Sequence, residues 1–264
     1  MPRRLRGKSA PRLLSAGNSR RSARSDRTQG QNKVSPLWLF DLDNTLHNAS
    51  HAIFPAINRN MNAYLAKVLG DGVTPADAQT VNEIRLQYYL RYGATMLGMV
   101  RHHGVRAEDF LHEAHQFVDL PSMIRAERGL RNVLRRLPGR KILLTNAPQQ
   151  YSRHVLRHLD LHQHFDAHIA IEEMRVHGQM QPKPSRPFLR KLLQQYRISA
   201  QRCILVEDSL DNLRAAKREG LKTVLVHGYT PAAQRKKNAA CVDVTVKSVL
   251  QLTNHYHRLS GLSR

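Results

Sequence analysis

The chain has 264 residues, 41% of them hydrophobic and only 6% aromatic, with 42 Lys and Arg against 20 Asp and Glu for a net charge of +22. That is enough apolar mass for one large domain, or a core domain with a smaller insert. No run nears the roughly 18 apolar residues of a membrane span, and no secretory apolar region opens the chain. The charge suits anionic ligands. Because no helix-turn-helix spacing or RNA-binding signature accompanies it, phosphorylated small molecules are expected rather than nucleic acid. Cys203 and Cys241 stand far apart without metal-type spacing, which points to a reduced, cytoplasmic protein without a disulfide framework.

Residues 1–35 are rich in Arg, Lys, Ser and Gly, with Asp26 as their one acid. Such a segment cannot bury enough apolar area to offset its chain entropy, so a disordered basic tail is expected, with an organelle transit peptide as the alternative. Order begins at Leu37-Trp38-Leu39-Phe40, a short apolar run that reads as a buried strand ending at Asp41. The stretch 51–125 carries helical patterns at Ala56–Leu69, Ala76–Arg91 and Ala107–Phe117 and no clear strand. It is too long for a strand-to-helix loop, and predicts an inserted helical subdomain. Strand-like runs return at Ile142–Leu144, Ile204–Val206 and Thr223–Val226, alternating with helical patterns at Gly129–Leu137, Pro184–Tyr196 and Leu210–Glu219. Val242–Val246 predicts an edge strand, and Ser248–Leu259 a closing helix. Residues 36–50 and 126–264 are therefore expected to form an α/β core, a doubly wound parallel sheet with helices on both faces.

Four groups of polar residues fall at or near the carboxyl ends of these strands, where ligands bind in open parallel sheets. Asp41 and Asp43, two apart, can divide nucleophilic and acid/base work, or can close an Asx turn. Thr145 and Asn146 can hold a phosphate oxygen, aided by the partial positive charge of a helix starting near Pro148; both residue types are also common N-caps. Lys183, between Pro182 and Pro184, is a cation on a stiffened loop. Glu207 and Asp208 end a buried strand, where acids are costly unless paired or metal-bound. They are suitable oxygen ligands for Mg²⁺, and Asp208 can instead cap the following helix. The histidines are set aside, because His112, His115, His162 and His164 lack zinc-hydrolase spacing. The arginines of 125–136 read as a solvated helix face.

Taken together, the order Asp-x-Asp, Thr, Lys, acidic pair over residues 37–228 resembles the haloacid dehalogenase superfamily. The resemblance implies a Rossmann-like core with a helical cap and a Mg²⁺-dependent phosphatase. By the same resemblance Asp41 is the nucleophile and Asp43 the acid/base that protonates the leaving oxygen and then activates water. Thr145 binds phosphate and Lys183 is the stabilising cation. Asp208 binds the metal together with Asp41 and the Asp43 carbonyl. Many members carry a second Asp four residues after the first, where this chain has Asn212 beside Asp211, so the outer metal shell is left open between Glu207 and Asn212. Asp43 also separates the chain from the dehalogenase branch, which lacks it.

The stretch Tyr88 to Met99 looks like the cap segment of pyrimidine 5′-nucleotidases, and His103, Asp109-Phe110-Leu111, His115, Leu137–Lys141, Thr145-Asn146-Ala147 and Asp43-Asn44-Thr45-Leu46 follow the same pattern. This implies a nucleoside monophosphate as substrate, with Tyr92, Thr95, Asn146, Thr145 and Lys183 as binding residues. Tyr92, Thr95 and Gly98 read equally well as ordinary helix packing. A phosphatase of another small phosphomonoester, such as a sugar phosphate or phosphoglycolate, is the nearest alternative, and a nucleic-acid-associated protein retaining the fold is a more distant one.

Overall fold

The structure is a computed structural model and describes residues 35–230 and 240–260. The expected basic tail lies, but for Ser35, outside the described residues. Eight strands are described: β1 Leu37–Phe40, β2 Arg140–Leu144, β3 Ala167–Ile169, β4 Arg175–Val176, β5 Gln179–Met180, β6 Cys203–Glu207, β7 Lys222–Val226 and β8 Val244–Val246. Six of them make one sheet in the order β3-β2-β1-β6-β7-β8, with every neighbouring pair parallel. β4 and β5 form a separate antiparallel hairpin.

Alternation along β1 explains the layering. Trp38 and Phe40 face one side, and Leu37 and Leu39 the other, all essentially inaccessible to solvent. On the first side they join Leu143, Ile204 and Val224 from the sheet with Leu134 of α6 (Leu130–Arg136), Val155 of α7 (Gln149–His158) and Leu252 of α10 (Leu252–Ser260). On the second, Ile142, Leu144 and Leu205 meet Phe188, Leu189 and Leu192 of α8 (Arg186–Gln195) and Leu213 and Ala216 of α9 (Leu210–Arg218). Helices therefore cover both faces, which is why the strands are continuous apolar runs. The Trp38 indole N–H, buried with the ring, donates to the Pro138 carbonyl at 2.8 Å.

Between β1 and β2 the chain forms α1 (Ile53–Leu69), α2 (Ala78–Tyr92), α3 (Thr95–His103), α4 (Ala107–Ala114) and the short α5 (Leu120–Met123). These helices have an apolar cluster of their own, with Leu65, Val81, Tyr88, Met96, Met99, Phe110 and Leu111. Gly98 is needed at its centre, because a Cβ there would come within 2.1 Å of the Tyr88 ring. At the two ends of this helical segment, the Asn48 N–H donates to the Arg125 carbonyl at 2.7 Å.

Several boundaries differ from the sequence reading. The helix expected over Ala107–Phe117 stops at Ala114, and the Phe117 ring lies tilted against Tyr151. The closing helix starts only at Leu252, after a 3₁₀ turn at Val249–Gln251 capped reciprocally by Ser248 and Gln251. α6 occupies part of the basic stretch, and its arginines 131, 135 and 136 are exposed. Among the described residues, no helix is long and apolar enough to cross a membrane.

Candidate active site

The first loop is built by one helical turn. Leu46 N–H donates to the Leu42 carbonyl at 2.8 Å, and Asn44 takes the left-handed conformation, with φ of 59°, that Asn tolerates. Its side chain fixes the turn through Ser50, accepting from the Ser50 N–H at 3.0 Å and donating to the Ser50 hydroxyl at 2.8 Å. The turn sets residues four apart side by side. Thr45 Oγ1 donates to Asp41 Oδ2 at 3.0 Å, and His47 Nε2 lies 2.9 Å from Asp43 Oδ1.

The carboxyl ends of β1, β2 and β6, adjacent in the sheet, bring Asp41, Thr145, Glu207 and Asp208 to one rim. Lys183 reaches that rim from the loop before α8, past a cis bond to Pro184. Its Nζ donates to Asp41 Oδ1 at 2.6 Å and to Glu207 Oε2 at 2.7 Å, with all three residues buried. The other Glu207 oxygen accepts from the backbone N–H groups of Asp208 and Ser209 at 3.2 and 3.1 Å. Glu207 thus holds the lysine and the next turn, which makes it a positioning group. Asp41, Glu207 and Asp208 each present a carboxylate oxygen, and these oxygens lie within 4.8 Å of one another.

Crowding of negative charge governs the electrostatics. Burial, reinforced by Glu207 and outweighing the Lys183 ammonium, pushes Asp41 up to about 7. Burial together with Glu207 and Asp41 pushes Asp208 up to about 9. Burial would lower Lys183, but Asp41 and Glu207 overcome it and hold the ammonium above its ordinary value. Burial likewise fails to raise Glu207, because Lys183 and the backbone donors keep it below the usual range. Asp43 is depressed in the same way, with burial opposed more strongly by His47 and Tyr151. One lysine therefore faces three clustered carboxylates, an oxygen-rich set with surplus negative charge of the kind that fits a hard divalent cation.

A stability effect follows in the metal-free protein. Asp41 and Asp208 bind protons more tightly folded than unfolded, so their contribution is complete below the ordinary carboxylate value of 3.8 and is lost as pH rises to about 7 and about 9. The depressed Glu207 and Asp43 act in the opposite direction only around and below their ordinary values. In EDTA, Tm is expected to fall as pH rises from about 5 to about 9. A flat or rising Tm across that range would contradict the raised proton affinity of Asp41 and Asp208.

The other residues singled out from sequence take different places. The Asn146 amide pairs with the backbone of Lys183 in both directions, donating to its carbonyl and accepting from its N–H, each at 2.9 Å. It fixes the lysine loop to the end of β2. Thr145, buried, accepts from the Ala147 N–H at 3.1 Å, a local turn contact that leaves its own proton to donate. The helix expected near Pro148 is α7, but its first amide is already used: Gln149 N–H lies 3.0 and 3.1 Å from the two Glu172 carboxylate oxygens. The partial positive charge expected at this helix start thus already faces the Glu172 carboxylate. Asp211 ion-pairs with Arg214 on the exposed face of α9. Tyr92 and Thr95 make their hydrogen bonds inside the helical segment, Tyr92 OH to His102 Nε2 at 2.5 Å and Thr95 Oγ1 to the Arg85 carbonyl at 3.3 Å.

Sequence reasoning missed three residues in contact with the paired aspartates. Thr45 and His47 share a four-residue spacing from Asp41 and Asp43 that a turn reading could have used. Tyr151 on α7 donates to Asp43 Oδ1 at 2.5 Å from 108 positions away, and no local pattern announces it.

The switch point of the parallel sheet thus gathers a buried lysine and three carboxylates. A family profile for haloacid dehalogenase-like hydrolases matches residues 38–226, and the chain belongs to that family. Solved structures agree in fold. CbbY from Rhodobacter sphaeroides, in complex with phosphate, is 23% identical with a TM-score of 0.57, covering 83% of this chain and 96% of that one. A HAD phosphatase from Thermococcus onnurineus is 17% identical with a TM-score of 0.56, covering 84% and 97%. A 2-haloacid dehalogenase from Pseudomonas syringae pv. Tomato DC3000 is 18% identical with a TM-score of 0.53, covering 85% and 99%.

Proposed function

We propose that the chain is a Mg²⁺-dependent phosphomonoester hydrolase acting through an aspartyl-phosphate, with nucleoside 5′-monophosphates, pyrimidine ones foremost, as substrates. The observation that carries this reading is the Lys183 bridge between Asp41 and Glu207, set against Asp208. An ammonium fixed against a carboxylate lets that carboxylate approach a phosphate dianion, which would otherwise repel it.

Asp41, Asp208 and the Asp43 carbonyl would hold the cation. When bound, the cation would offset the crowded charge and polarise the phosphoryl oxygens. An Asp41 oxygen forms a bond to phosphorus as the ester P–O bond breaks, and the departing oxygen takes a proton from Asp43. Water then attacks the phosphorus, returns a proton to Asp43 and releases inorganic phosphate and free Asp41. Asp43 is kept ionised by His47 and Tyr151 in the free protein. A phosphate dianion beside it raises its proton affinity, so it reaches the acid form with substrate bound. A second carboxylate in this position favours phosphatase over dehalogenase chemistry.

Residues 51–125 are read as the cap that closes over the leaving group, and 36–50 with 126–264 as the core. Buried free thiols at Cys203 and Cys241 accord with a reduced, cytoplasmic setting. The test is phosphate release from UMP, CMP, AMP, sugar phosphates and phosphoglycolate, with Mg²⁺ and after EDTA. Turnover is expected to be highest for the pyrimidine nucleotides, to fall at least about a hundredfold in EDTA and to return with Mg²⁺. Equal or greater turnover of the non-nucleotides would remove the nucleotidase reading, and EDTA-resistant turnover would remove the metal.

A further inference from the structure

A cavity of about 460 Å³ opens between α4 with its following loop and the start of α7. Asp43 does not line it; the link to the acid/base is Tyr151, which lines the cavity with its ring and donates its hydroxyl to Asp43. Three rings form an aromatic wall: Tyr151 lies 5.4 Å from His115 and 5.6 Å from Phe117, centroid to centroid. Three carboxylates line it, Glu108, Asp109 and Glu172, together with the imidazoles of His112, His115 and His154, and no lysine or arginine does. The nearby arginines do not line it. Arg175 stands 3.6 Å from Glu108 while donating to the backbone carbonyls of Glu172 and Gly178, and Arg106 stands 3.9 Å from Asp109. Burial keeps His115 below its ordinary value, so its ring is an uncharged surface near neutral pH.

On a chain of net charge +22, an acidic pocket is a local reversal of sign. We propose that this cavity receives the leaving group and selects it by charge. It admits a flat, uncharged aromatic group against Tyr151, His115 and Phe117, and repels a leaving group bearing a second anionic charge. This rests on the phosphatase reading and sharpens it: carboxylated or doubly phosphorylated esters are disfavoured by Glu108, Asp109 and Glu172, whereas a base rich in hydrogen-bond donors is not. A like charge at the partly solvated mouth of such a pocket is worth about tenfold in discrimination.

Two matched probes test this: 4-carbamoylphenyl phosphate and 4-carboxyphenyl phosphate, which share a ring and differ in charge. They are assayed with Mg²⁺ at about pH 8, above the ordinary histidine range. The amide is expected to exceed the carboxylate about tenfold in kcat/KM, mainly through KM. The double substitution Glu108→Gln, Asp109→Asn, at two exposed positions, should bring the ratio to within about threefold. Glu172 is kept because it caps α7. A wild-type ratio near one, or a ratio the double variant leaves unchanged, overturns the charge selection while the phosphatase reading stands. Release of phosphate from UMP but from neither probe by the Mg²⁺-loaded protein overturns the aromatic pocket alone, and release from none of the three overturns both.

Discussion

Replacing Asp41 by Asn is expected to lower phosphate release by at least about a thousandfold, because an amide cannot form the acyl-phosphate. The substitution is nearly isosteric, and the lysine beside it keeps its second partner, Glu207, at 2.7 Å. Thr45 can still donate to the amide oxygen. The fold should therefore survive, and at neutral to alkaline pH it should become slightly more stable, since Asp41 is a carboxylate whose ionisation folding disfavours. Two measurements decide the matter: kcat of the variant, and mass spectrometry of acid-quenched wild-type protein for a phosphoryl group on Asp41. A variant within about tenfold of wild type, with no phosphoryl adduct on the parent, would remove the covalent route.

Lys183→Met acts on stability as much as on rate. It removes the ammonium that contacts two buried carboxylates, at 2.6 and 2.7 Å, and leaves them facing each other and Asp208 with neutral hydroxyl and backbone donors alone. Breaking a buried pair from one side costs about 3–5 kcal/mol, because the stranded charge remains desolvated. Part of that loss should be recovered on acidification, as Asp41 and Glu207 take up protons. Urea unfolding of both proteins at neutral and mildly acidic pH measures it. A loss below about 1 kcal/mol at neutral pH would mean that the bridge is worth no more than a surface pair. Turnover should fall as well, since nothing else in the loop supplies the fixed charge.

The legible parts of this chain were those whose physics is local. β1, β2, β6 and β7 are buried on both faces, so Leu37–Phe40 and Ile204–Val206 stand out as unbroken apolar runs. Their carboxyl ends then direct attention to Asp41, Thr145, Glu207 and Asp208. β3 escaped notice because Ala167–Ile169 is three residues long, pairs only with β2 and carries His168 at its centre. The hairpin of β4 and β5 has two residues per strand, too few for any period. Lys183 was legible as a constrained cation, but the residue that constrains it from across the site, Asn146, read as a phosphate ligand. A backbone-to-side-chain pair 37 positions apart leaves no periodic trace. Tyr92 and Thr95 illustrate the same limit: the segment that holds them was legible as helices, whereas the partners of their hydroxyls, His102 and the Arg85 carbonyl, are set by how α2 turns back onto α3.

The bond between Asn48 and Arg125 has a bearing on how such a chain can vary. It pins the two ends of the helical segment to one another at the rim of the sheet, so the strands are presented with a closed junction whatever lies beyond it. Lengthening an already closed loop adds little entropic penalty, since the cost grows only with the logarithm of its size. Insertions and deletions on the far side of that junction therefore leave strand order and the Asp41 turn intact. Recognition of the molecule being hydrolysed is free to change at a different pace from the chemistry performed on it.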